Sequence, residues 1–308
     1  MPTYSIVVVT WQSAEHLARL VESMNRELGD GPELVVVDND SDDDPEAAAS
    51  AWRGVTRFTR LESNAGFGTA ANAGVAEAAG DAVVILNPDT ELLDPHIGEL
   101  AGFALSRRAL AGPRVRNPDG TTQPSASGPP AGVWPWVGAL LPGALAPPPV
   151  RARTEPWRLE RTTRVAWLTG ACIAGPADAL RRLGPFDPAI EMYGEDLDLG
   201  LRAAAEGVPS FFCPETTAIL HHGGASAALR YESGPQDVVA RTRRAVLRRA
   251  LGERGERSAR GAQILNLRLR IAAKRILGGD AERDRAALSA LLSAEMPPEL
   301  PPAPSLRG

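Results

Sequence analysis

Three continuous apolar segments, each followed by polar residues, constrain the fold of this chain most strongly. The segments are YSIVVVT at 4–10, ELVVVDND at 33–40 and VVILNPD at 83–89. Uninterrupted aliphatic runs of this length are typical of strands that are covered on both faces, as in parallel sheets. A stretch with the apolar spacing of a helix, at 17–28, follows the first segment. This alternation predicts an α/β fold with a doubly wound, mostly parallel sheet and helices on both faces.

Polar side chains stand where the predicted strands end. Thr10, Asp38 and Asp89 end an apolar run or follow it closely, and Asn64 comes after a shorter predicted strand, VTRFTRL. Ligands of doubly wound sheets bind at the carboxyl ends of the strands, so we expect these four residues to meet in one site. A turn alone would also explain Asp89, because the residue follows an Asn-Pro pair.

Composition and charge narrow the possible function classes. Of 308 residues, 44% are hydrophobic and 23% charged, and the net charge is −5. These values predict a globular protein and give no sign of a nucleic-acid partner. Cys172 and Cys213 lie in apolar surroundings without metal-ligand spacing, which predicts buried thiols in a reducing compartment. The first residues show no signal-peptide pattern, and no apolar run reaches the roughly 18 residues of a membrane helix, so we expect a cytoplasmic protein.

The chain is expected to comprise a catalytic domain at 1–232, a basic helical extension at 233–296 and a loose tail at 297–308. Inside the first unit, 113–157 contains eleven prolines and reads as a long irregular loop. Its two tryptophans, at 134 and 136, could face an acceptor or a membrane, or could pack on the body of the protein. One strand is predicted around 165–174.

The extension is strongly basic. Between 239 and 285 it contains fourteen Arg or Lys and five Asp or Glu, a local charge of +9. Three helices are predicted, at 239–251, 264–277 and 286–296. Basic helices with apolar positions can lie on anionic headgroups, and a solvated bundle that caps the catalytic domain is the alternative.

Two local motifs favour other functions only weakly. DNDSDDD at 38–44 resembles the start of a calcium loop, but Asp43 stands where an EF-hand requires Gly, and Ala49 where it requires Glu. GFGTAA at 66–71 fits the dinucleotide fingerprint, which would make the protein a nicotinamide or flavin enzyme. In dinucleotide-binding folds this fingerprint normally follows the first strand. A dinucleotide-binding function would also leave the acidic residues Glu195, Asp196 and Asp198 unexplained.

An acidic cluster and a histidine pair are the strongest candidates for chemistry. Glu195, Asp196 and Asp198 fall in the first turn of a predicted helix, where the helix dipole favours an acid by roughly 0.3–1 kcal/mol. That gain does not explain three carboxylates that repel one another, whereas a cation or an incoming hydroxyl would. His221 and His222 follow a predicted strand and precede two glycines, so we predict that one of them is a ligand.

Taken in order, these segments resemble the family 2 inverting glycosyltransferases of the GT-A fold, and most of all a bacterial rhamnosyltransferase-like branch. The resemblance runs from Tyr4 to about Ser226. Asn87 stands where the D-x-D metal motif of the family has its first aspartate. Each segment is a weak signal alone, and their shared order makes the resemblance specific. The segments are IVVVTWQS, VVVDNDSDD, NAGFGTAAN, ILNPDTEL, TGACIAG with GPFDPAIEMYGEDLDLGLRAAAEG, and HHGGAS.

The resemblance implies a nucleotide-sugar donor and a divalent cation, Mg²⁺ or Mn²⁺. Asp89 and His221 are the expected cation ligands, with His222 as the alternative to His221. Asp38 is expected to hydrogen-bond the base. The expected contacts of the nucleotide or its phosphates are Thr10, Asp38, Asn39, Asn64, Gly66, Phe67, Asn72, Asn87 and Asp89.

On the acceptor side, the resemblance implies one carboxylate as general base. Motif position selects Asp196, with Glu195 as the alternative. The implied reaction is inverting transfer of a sugar, with dTDP-rhamnose as first candidate donor, to a hydroxyl of a glycan or a lipid-linked acceptor. Such a reaction belongs to cell-wall or polysaccharide biosynthesis, and the basic extension would bind an anionic membrane peripherally at its cytoplasmic face.

Two other functions stay open at this point. A glycoside hydrolase also uses two carboxylates, one as acid and one as base or nucleophile. A nucleotide-binding module without catalysis would retain the donor-side residues alone. The sequence leaves undecided which sugar, nucleotide and acceptor are used, and which oligomer forms.

Overall fold

The computed structural model describes residues 3–141, 143, 145–190, 192–223, 235–294 and 300–301. Strands and helices are named here in their order along the chain. The strands are β1 (Tyr4–Thr10), β2 (Glu33–Asp38), β3 (Thr56–Arg60), β4 (Ala82–Leu86), β5 (Thr90–Leu92), β6 (Leu110–Gly112), β7 (Arg114–Arg116), β8 (Ala126–Ser127), β9 (Thr163–Val165), β10 (Trp167–Leu168), β11 (Cys172–Pro176), β12 (Ser210–Phe212) and β13 (Ala218–His221).

The helices lie on both faces of the central sheet and at the carboxyl-terminal end of the chain. They are α1 (Ala14–Glu27), α2 (Pro45–Ser50), α3 (Phe67–Glu77), α4 (Ile97–Arg107), α5 (Trp134–Leu140), α6 (Pro148–Thr154), α7 (Ala177–Leu183), α8 (Glu195–Ala205), α9 (Gln236–Ile276) and α10 (Glu282–Ser293).

The central sheet has eight strands in the order β3-β2-β1-β4-β11-β6-β12-β9. Strands β3, β2, β1, β4, β6 and β12 share one direction, whereas β11 and β9 run against their neighbours. The chain builds β1, β2 and β3 in one direction across the sheet and then returns to place β4 on the other side of β1. This reversal creates a crevice at the carboxyl ends of β1 and β4, where ligands of such sheets bind.

Side chains alternate between the two faces of β1, which explains why its sequence is apolar throughout. Ile6 and Val8 belong to a core that includes Leu17 of α1, whereas Val7 and Val9 belong to a second core that includes Ala70 of α3. The structure therefore confirms the predicted α/β class, with a mostly parallel sheet and helices on both sides.

The proline-rich segment at 113–157 contains more secondary structure than its sequence predicted. It carries β7 and β8, and then α5 and α6. Proline is tolerated in the first turn of a helix, where its missing N–H would have no partner, and Pro135 and Pro148 occupy such positions. The indole N–H of Trp136 donates to Ser258 Oγ at 3.1 Å, so this tryptophan packs on α9.

The strand predicted around 165–174 is also divided. β9, β10 and β11 replace it, and the turn between the last two contains Thr169 and Gly170. The Gly170 N–H donates to Asp196 Oδ2 at 3.3 Å instead of to a neighbouring strand. A local requirement of the site thus interrupts a strand that hydrophobicity alone would extend.

The basic extension forms α9 and α10. Gly252 has φ 68° and ψ 177°, which breaks α9 into two helical segments. Arg244 and Glu256 pair across this break at 2.8 Å, and both side chains are buried. The prediction of three helices is confirmed, but the second begins directly after Gly252, well before 264. Positions 295–296 of the third predicted helix, and all of the predicted tail except 300–301, lie outside the described residues.

Among the described helices, none has the length and apolar character that a bilayer crossing requires.

Candidate active site

A cavity of about 450 Å³ opens at the carboxyl edge of the central sheet. Residues from distant parts of the chain line it, and they include seven of the residues predicted from sequence. Those seven are Asn39, Asn64, Phe67, Asn87, Asp89, Glu195 and His221. The sheet edge therefore brings donor-side and acceptor-side candidates into one site.

A polar wall of this cavity comes from the ends of β2 and of the loop before α3. Asn39 Nδ2 donates to Asn64 Oδ1 at 2.9 Å, and Asn39 Oδ1 accepts from the Ala65 N–H at 2.9 Å. The Asn39 N–H in turn donates to the Thr10 carbonyl at 2.9 Å. These bonds fix both amides at the carboxyl edge of the sheet.

Asp89 is presented by the turn that ends β4. The Thr90 hydroxyl donates to the Asn87 carbonyl at 2.7 Å and closes this turn. β13 pairs with β5 so that His221 is opposite Thr90, next to Asp89. His221 Nε2 consequently lies 3.2 Å from Asp89 Oδ1. Burial by itself raises the pKa of Asp89, but the hydrogen bond and charge of His221 outweigh burial and leave that pKa below its ordinary value.

Gln123 determines which nitrogen of His221 carries hydrogen. Its Nε2 donates to the His221 carbonyl at 2.9 Å, so its Oε1 must be the atom that faces His221 Nδ1, also at 2.9 Å. An oxygen can only accept there, and Nδ1 is therefore the protonated nitrogen. His221 Nε2 and Asp89 Oδ1 then face each other with lone pairs, which requires either a second proton or a cation between them.

This donor set fits a divalent cation that is shared with a bound diphosphate. Asp89 offers a hard oxygen and His221 a nitrogen, which suits Mn²⁺ and, less closely, Mg²⁺. In the described part of the chain, no group of three or more His, Cys, Asp or Glu side chains is arranged to hold a metal ion, so phosphate oxygens and water would complete the coordination. His222 pairs with Glu91 at 2.7 Å and does not line the cavity, which favours His221 over His222.

The acidic pair Glu195–Asp196 begins α8. Tyr193 and Gly194 precede it with φ values of 62° and 105°, and this left-handed pair turns the chain sharply into the helix. Asp196 accepts from the Leu197 N–H at 2.7 Å as well as from Gly170, whereas Glu195 Oε2 is buried without a partner among the described residues. Glu195 lines the cavity and Asp196 forms its border at Gly170.

The two carboxyls differ in acidity for identifiable reasons. Burial raises the pKa of Glu195 to about 8, and the neighbouring Asp196 charge adds to the shift. Burial also raises the pKa of Asp196, to about 6, against the two backbone N–H donors and the nearby Arg243, which favour its ionised form. Near neutral pH, Asp196 is therefore the ionised member of the pair and Glu195 retains its proton.

Asp198 has a structural role. Its carboxylate lies 2.6 Å from Arg202 Nε and 2.6 Å from a nitrogen of Arg249, and it is almost fully buried. Arg249 also pairs with Asp187 at 2.5 Å. These pairs tie α8 to α9 and leave Asp198 no free oxygen for a substrate.

Four predicted nucleotide contacts do not line the cavity. Asp38 is fully buried and pairs with Arg60 at 2.7 Å. Both ends of the Asn72 amide bind the Phe186 backbone, at 2.7 and 3.0 Å, so its predicted contact with the nucleotide stays a prediction. Thr10 is fully buried, and Gly66 supplies a φ of 83° at the start of α3. The last residues of the predicted H-x-x-G-x-S motif, 224–226, lie outside the described residues.

Several cavity residues carried no sequence signal. Gln123 stands in the proline-rich segment, where neither periodicity nor a motif distinguishes it. Trp11 and Ser13 follow β1, and Met192 and Tyr193 precede α8. A search for polar residues near strand ends would have found Ser13, whereas Gln123 is recognisable only after β13 brings His221 beside it.

The sequence matches the glycosyl transferase family 2 profile over residues 5–165. It is 33% identical over 239 residues to N-acetylglucosaminyl-diphospho-decaprenol L-rhamnosyltransferase of Mycobacterium tuberculosis. The aligned region covers 70% of this chain and 75% of that protein. It is 30% identical over 154 residues to the O-antigen biosynthesis protein RfbC of Myxococcus xanthus, with 49% of this chain and 12% of that protein covered.

Solved structures share the fold at low sequence identity. GalNAc-T7 with UDP, GalNAc and Mn²⁺ superposes with a TM-score of 0.55 at 18% identity, over 72% of this chain and 43% of that protein. S. aureus TarS 1-349 superposes with a TM-score of 0.53 at 15% identity, over 95% of this chain and 80% of that one. These matches support the GT-A fold. The profile match and the curated relatives together show that the chain belongs to glycosyl transferase family 2 and is a nucleotide-sugar-dependent glycosyltransferase of the bacterial rhamnosyltransferase type.

Proposed function

We propose that this enzyme transfers a sugar, with inversion, from a nucleotide-sugar to a hydroxyl of a lipid-linked acceptor. The observation that carries the proposal is that the Asp89–His221 pair and Glu195 line the same cavity, with Asp196 at its border. The curated relatives favour rhamnose as the sugar and a prenyl-diphosphate-linked acceptor, since that is what the M. tuberculosis protein is named for. dTDP-rhamnose is the first donor to test, and UDP- and GDP-sugars are the others.

Donor binding is assigned to the sheet edge. The Asn39 and Asn64 amides would contact the nucleoside, and Phe67 supplies an apolar wall. Asp89 and His221 would hold the cation at the diphosphate, and Gln123 keeps His221 in the tautomer that can bind it. When bound, a divalent cation supplies positive charge that stabilises the leaving nucleoside diphosphate.

Acceptor activation is assigned to Asp196. As the acceptor oxygen attacks the anomeric carbon, its proton passes to the Asp196 carboxylate, and the bond to the nucleoside diphosphate breaks. One displacement of this kind inverts the anomeric centre. General-base assistance contributes typically ~10²–10⁴-fold to rate. Glu195, protonated near neutral pH, can donate a hydrogen bond to the acceptor or donor sugar.

A lipid-linked acceptor places the reaction at a membrane surface, and exposed apolar residues at both ends of α5 and at the end of α9 support peripheral binding. Leu140 is 67% exposed, and Ile276 and Leu277 are each 84% exposed. Arg275 is exposed beside them. Many other basic residues of the extension are engaged in ion pairs within the protein, so the apolar contacts rather than a high charge would supply most of the membrane affinity.

The decisive experiment combines donor binding and turnover. Thermal unfolding is recorded with dTDP-rhamnose, UDP-sugars and GDP-sugars, each with Mn²⁺ or Mg²⁺, because a donor that binds the folded state raises its apparent stability. The stabilising donor is then assayed for transfer to a prenyl-diphosphate-linked N-acetylglucosamine, and the anomeric configuration of the product is read by NMR. Release of sugar from a simple glycoside without nucleotide would indicate a hydrolase instead, and donor binding without product would indicate a binding module.

A further inference from the structure

A second cavity, of about 300 Å³, lies between the proline-rich segment and α9. α5 and α6 form one side of it, and α9 forms the other, with Arg243 from before the break at Gly252 and the remaining α9 residues from after it. Three arginines line it, Arg153, Arg243 and Arg270, against one acid, Glu155. Glu155 already pairs with Arg158, and Arg270 with Asp284, so the positive charges of Arg153 and Arg243 are not neutralised by an acid that lines this cavity.

Arg243 is the residue that needs an explanation. Its Nε is buried and has no hydrogen-bond partner among the described residues. A buried donor on a charged group is costly to leave unpaired, so it needs an explanation such as a bound ion, a ligand or a chemical role. Asp196 supplies the nearby negative charge, but Asp196 hydrogen-bonds to backbone N–H groups instead.

Asp196 lines neither cavity, but it lies near one residue that lines each of them. On one side it binds the Gly170 N–H, and Gly170 lines the donor cavity. On the other side its charge acts on Arg243, which lines the second cavity. The start of α8 rests on α9 at this point, since a Cβ at Gly194 would lie 3.1 Å from Thr242 Cγ2. An acceptor in the second cavity could therefore present a hydroxyl to Asp196 from the side opposite the donor.

The walls of the second cavity suit an anion that is attached to a hydrocarbon chain. Trp134, Pro130 and Leu267 form apolar surface beside the arginines. Val133, at the start of α5, is 61% exposed and continues this surface to the outside, as does Leu140 at its end. Arginine binds phosphate oxygens with paired N–H donors, which favours an acceptor that carries phosphate over a neutral glycan.

We propose that the second cavity binds the diphosphate of a prenyl-diphosphate-linked acceptor through Arg153 and Arg243, with the prenyl chain leaving along α5. This inference rests on the proposed function for the identity of the acceptor. The diphosphate anchors the acceptor, the first sugar extends toward Asp196, and the lipid reaches the membrane along the exposed apolar residues.

The test uses Arg153→Gln and Arg243→Gln, with Arg241→Gln as matched control, since Arg241 is exposed on the same helix and does not line the cavity. Calorimetry measures binding of farnesyl diphosphate and of an N-acetylglucosaminyl diphosphate with a short alkyl chain, while a saturating nucleoside diphosphate fills the donor cavity. Each cavity variant should weaken binding about tenfold to a hundredfold, and the control should not. Arg153 is exposed, so its variant keeps the test valid if the Arg243 variant unfolds.

Turnover separates this inference from the proposed function. In the two cavity variants the KM for the diphosphate acceptor should rise, while donor affinity by thermal shift stays at the wild-type value. An alkyl N-acetylglucosaminide without diphosphate should be a poor acceptor for wild type and variants alike. Equal binding of the diphosphates by all four proteins would overturn the inference and leave the proposed function intact. Arginine-dependent binding without transfer from any donor would overturn the proposed function alone.

Discussion

His221 Nε2 lies 3.2 Å from Asp89 Oδ1, although more than a hundred residues separate the two in sequence. The pairing of β13 with β5 creates this contact, and Gln123 orients the imidazole from its other side. Two atoms that both carry lone pairs in this tautomer are thereby held at a distance that one cation or one proton can bridge. Mutations at this position test whether a cation occupies it, and mutations of Glu195 and Asp196 test the role of the acidic side of the cavity.

Asp89→Asn should weaken Mn²⁺-dependent binding of nucleoside diphosphate by about tenfold or more, because the amide keeps the shape but removes the charge that attracts the cation. Calorimetry with and without Mn²⁺ measures the effect. Glu91→Gln is the matched control, since Glu91 pairs with His222 and lies outside the cavity. Equal affinities for wild type and Asp89→Asn would rule out Asp89 as a cation ligand.

Gln123→Leu should raise the Mn²⁺ concentration that gives half-maximal turnover by about 10–100-fold, as loss of the partner of a metal-binding histidine typically does. The cause is a freely rotating imidazole that no longer presents Nε2 beside Asp89. Saturating Mn²⁺ should restore most of the activity, and this rescue distinguishes a positioning role from general damage to the fold. A metal requirement identical to that of wild type would show that Gln123 has no such role.

Asp196→Asn should reduce transfer by about 10²–10⁴-fold while donor affinity stays near wild type. Because the base acts in its ionised form, turnover of wild type with acceptor should fall about tenfold for each pH unit below the Asp196 pKa of about 6. The residual activity of the variant should lack this acidic limb. Weakened donor binding in Asp196→Asn, with an unchanged pH profile, would assign Asp196 to the donor instead.

Folding stability should also depend on the acidic pair. Both carboxyls have a pKa in the folded protein above their ordinary values, so the folded state binds more protons than the unfolded state between about pH 4 and pH 8. The free energy of unfolding should therefore decrease as pH rises through this window. Glu195→Gln should be more stable than wild type at pH 8, by about 1–2 kcal/mol, and should lose that advantage at pH 4. Urea unfolding at both pH values checks this, and an advantage that is equal at both would contradict it.

Sequence patterns predicted the strands of the sheet well because apolar continuity reports directly on burial from both faces, as Ile6 and Val7 illustrate in opposite cores. The same logic placed Asp89 at a strand end and so in the site. Apolar continuity failed to predict the break at Gly170, whose N–H binds Asp196. It also failed at α5 and α6, where prolines occupy the first turn of each helix. It could not find Gln123 or Arg243, because their significance arises from strand pairing and helix packing that bring distant residues together.

Arg249 joins Asp187 and Asp198 to α9, so a helix in the last quarter of the chain holds the first turn of α8 in place. The domain boundary predicted from sequence at residue 232 therefore separates helices that these ion pairs hold together. Removing the residues after 232 would remove Arg249 as well as one wall of the second cavity. Exchanging the terminal helices between relatives would instead be a route to new acceptor specificity. The edge of the sheet, to which we assign nucleotide binding, would not change.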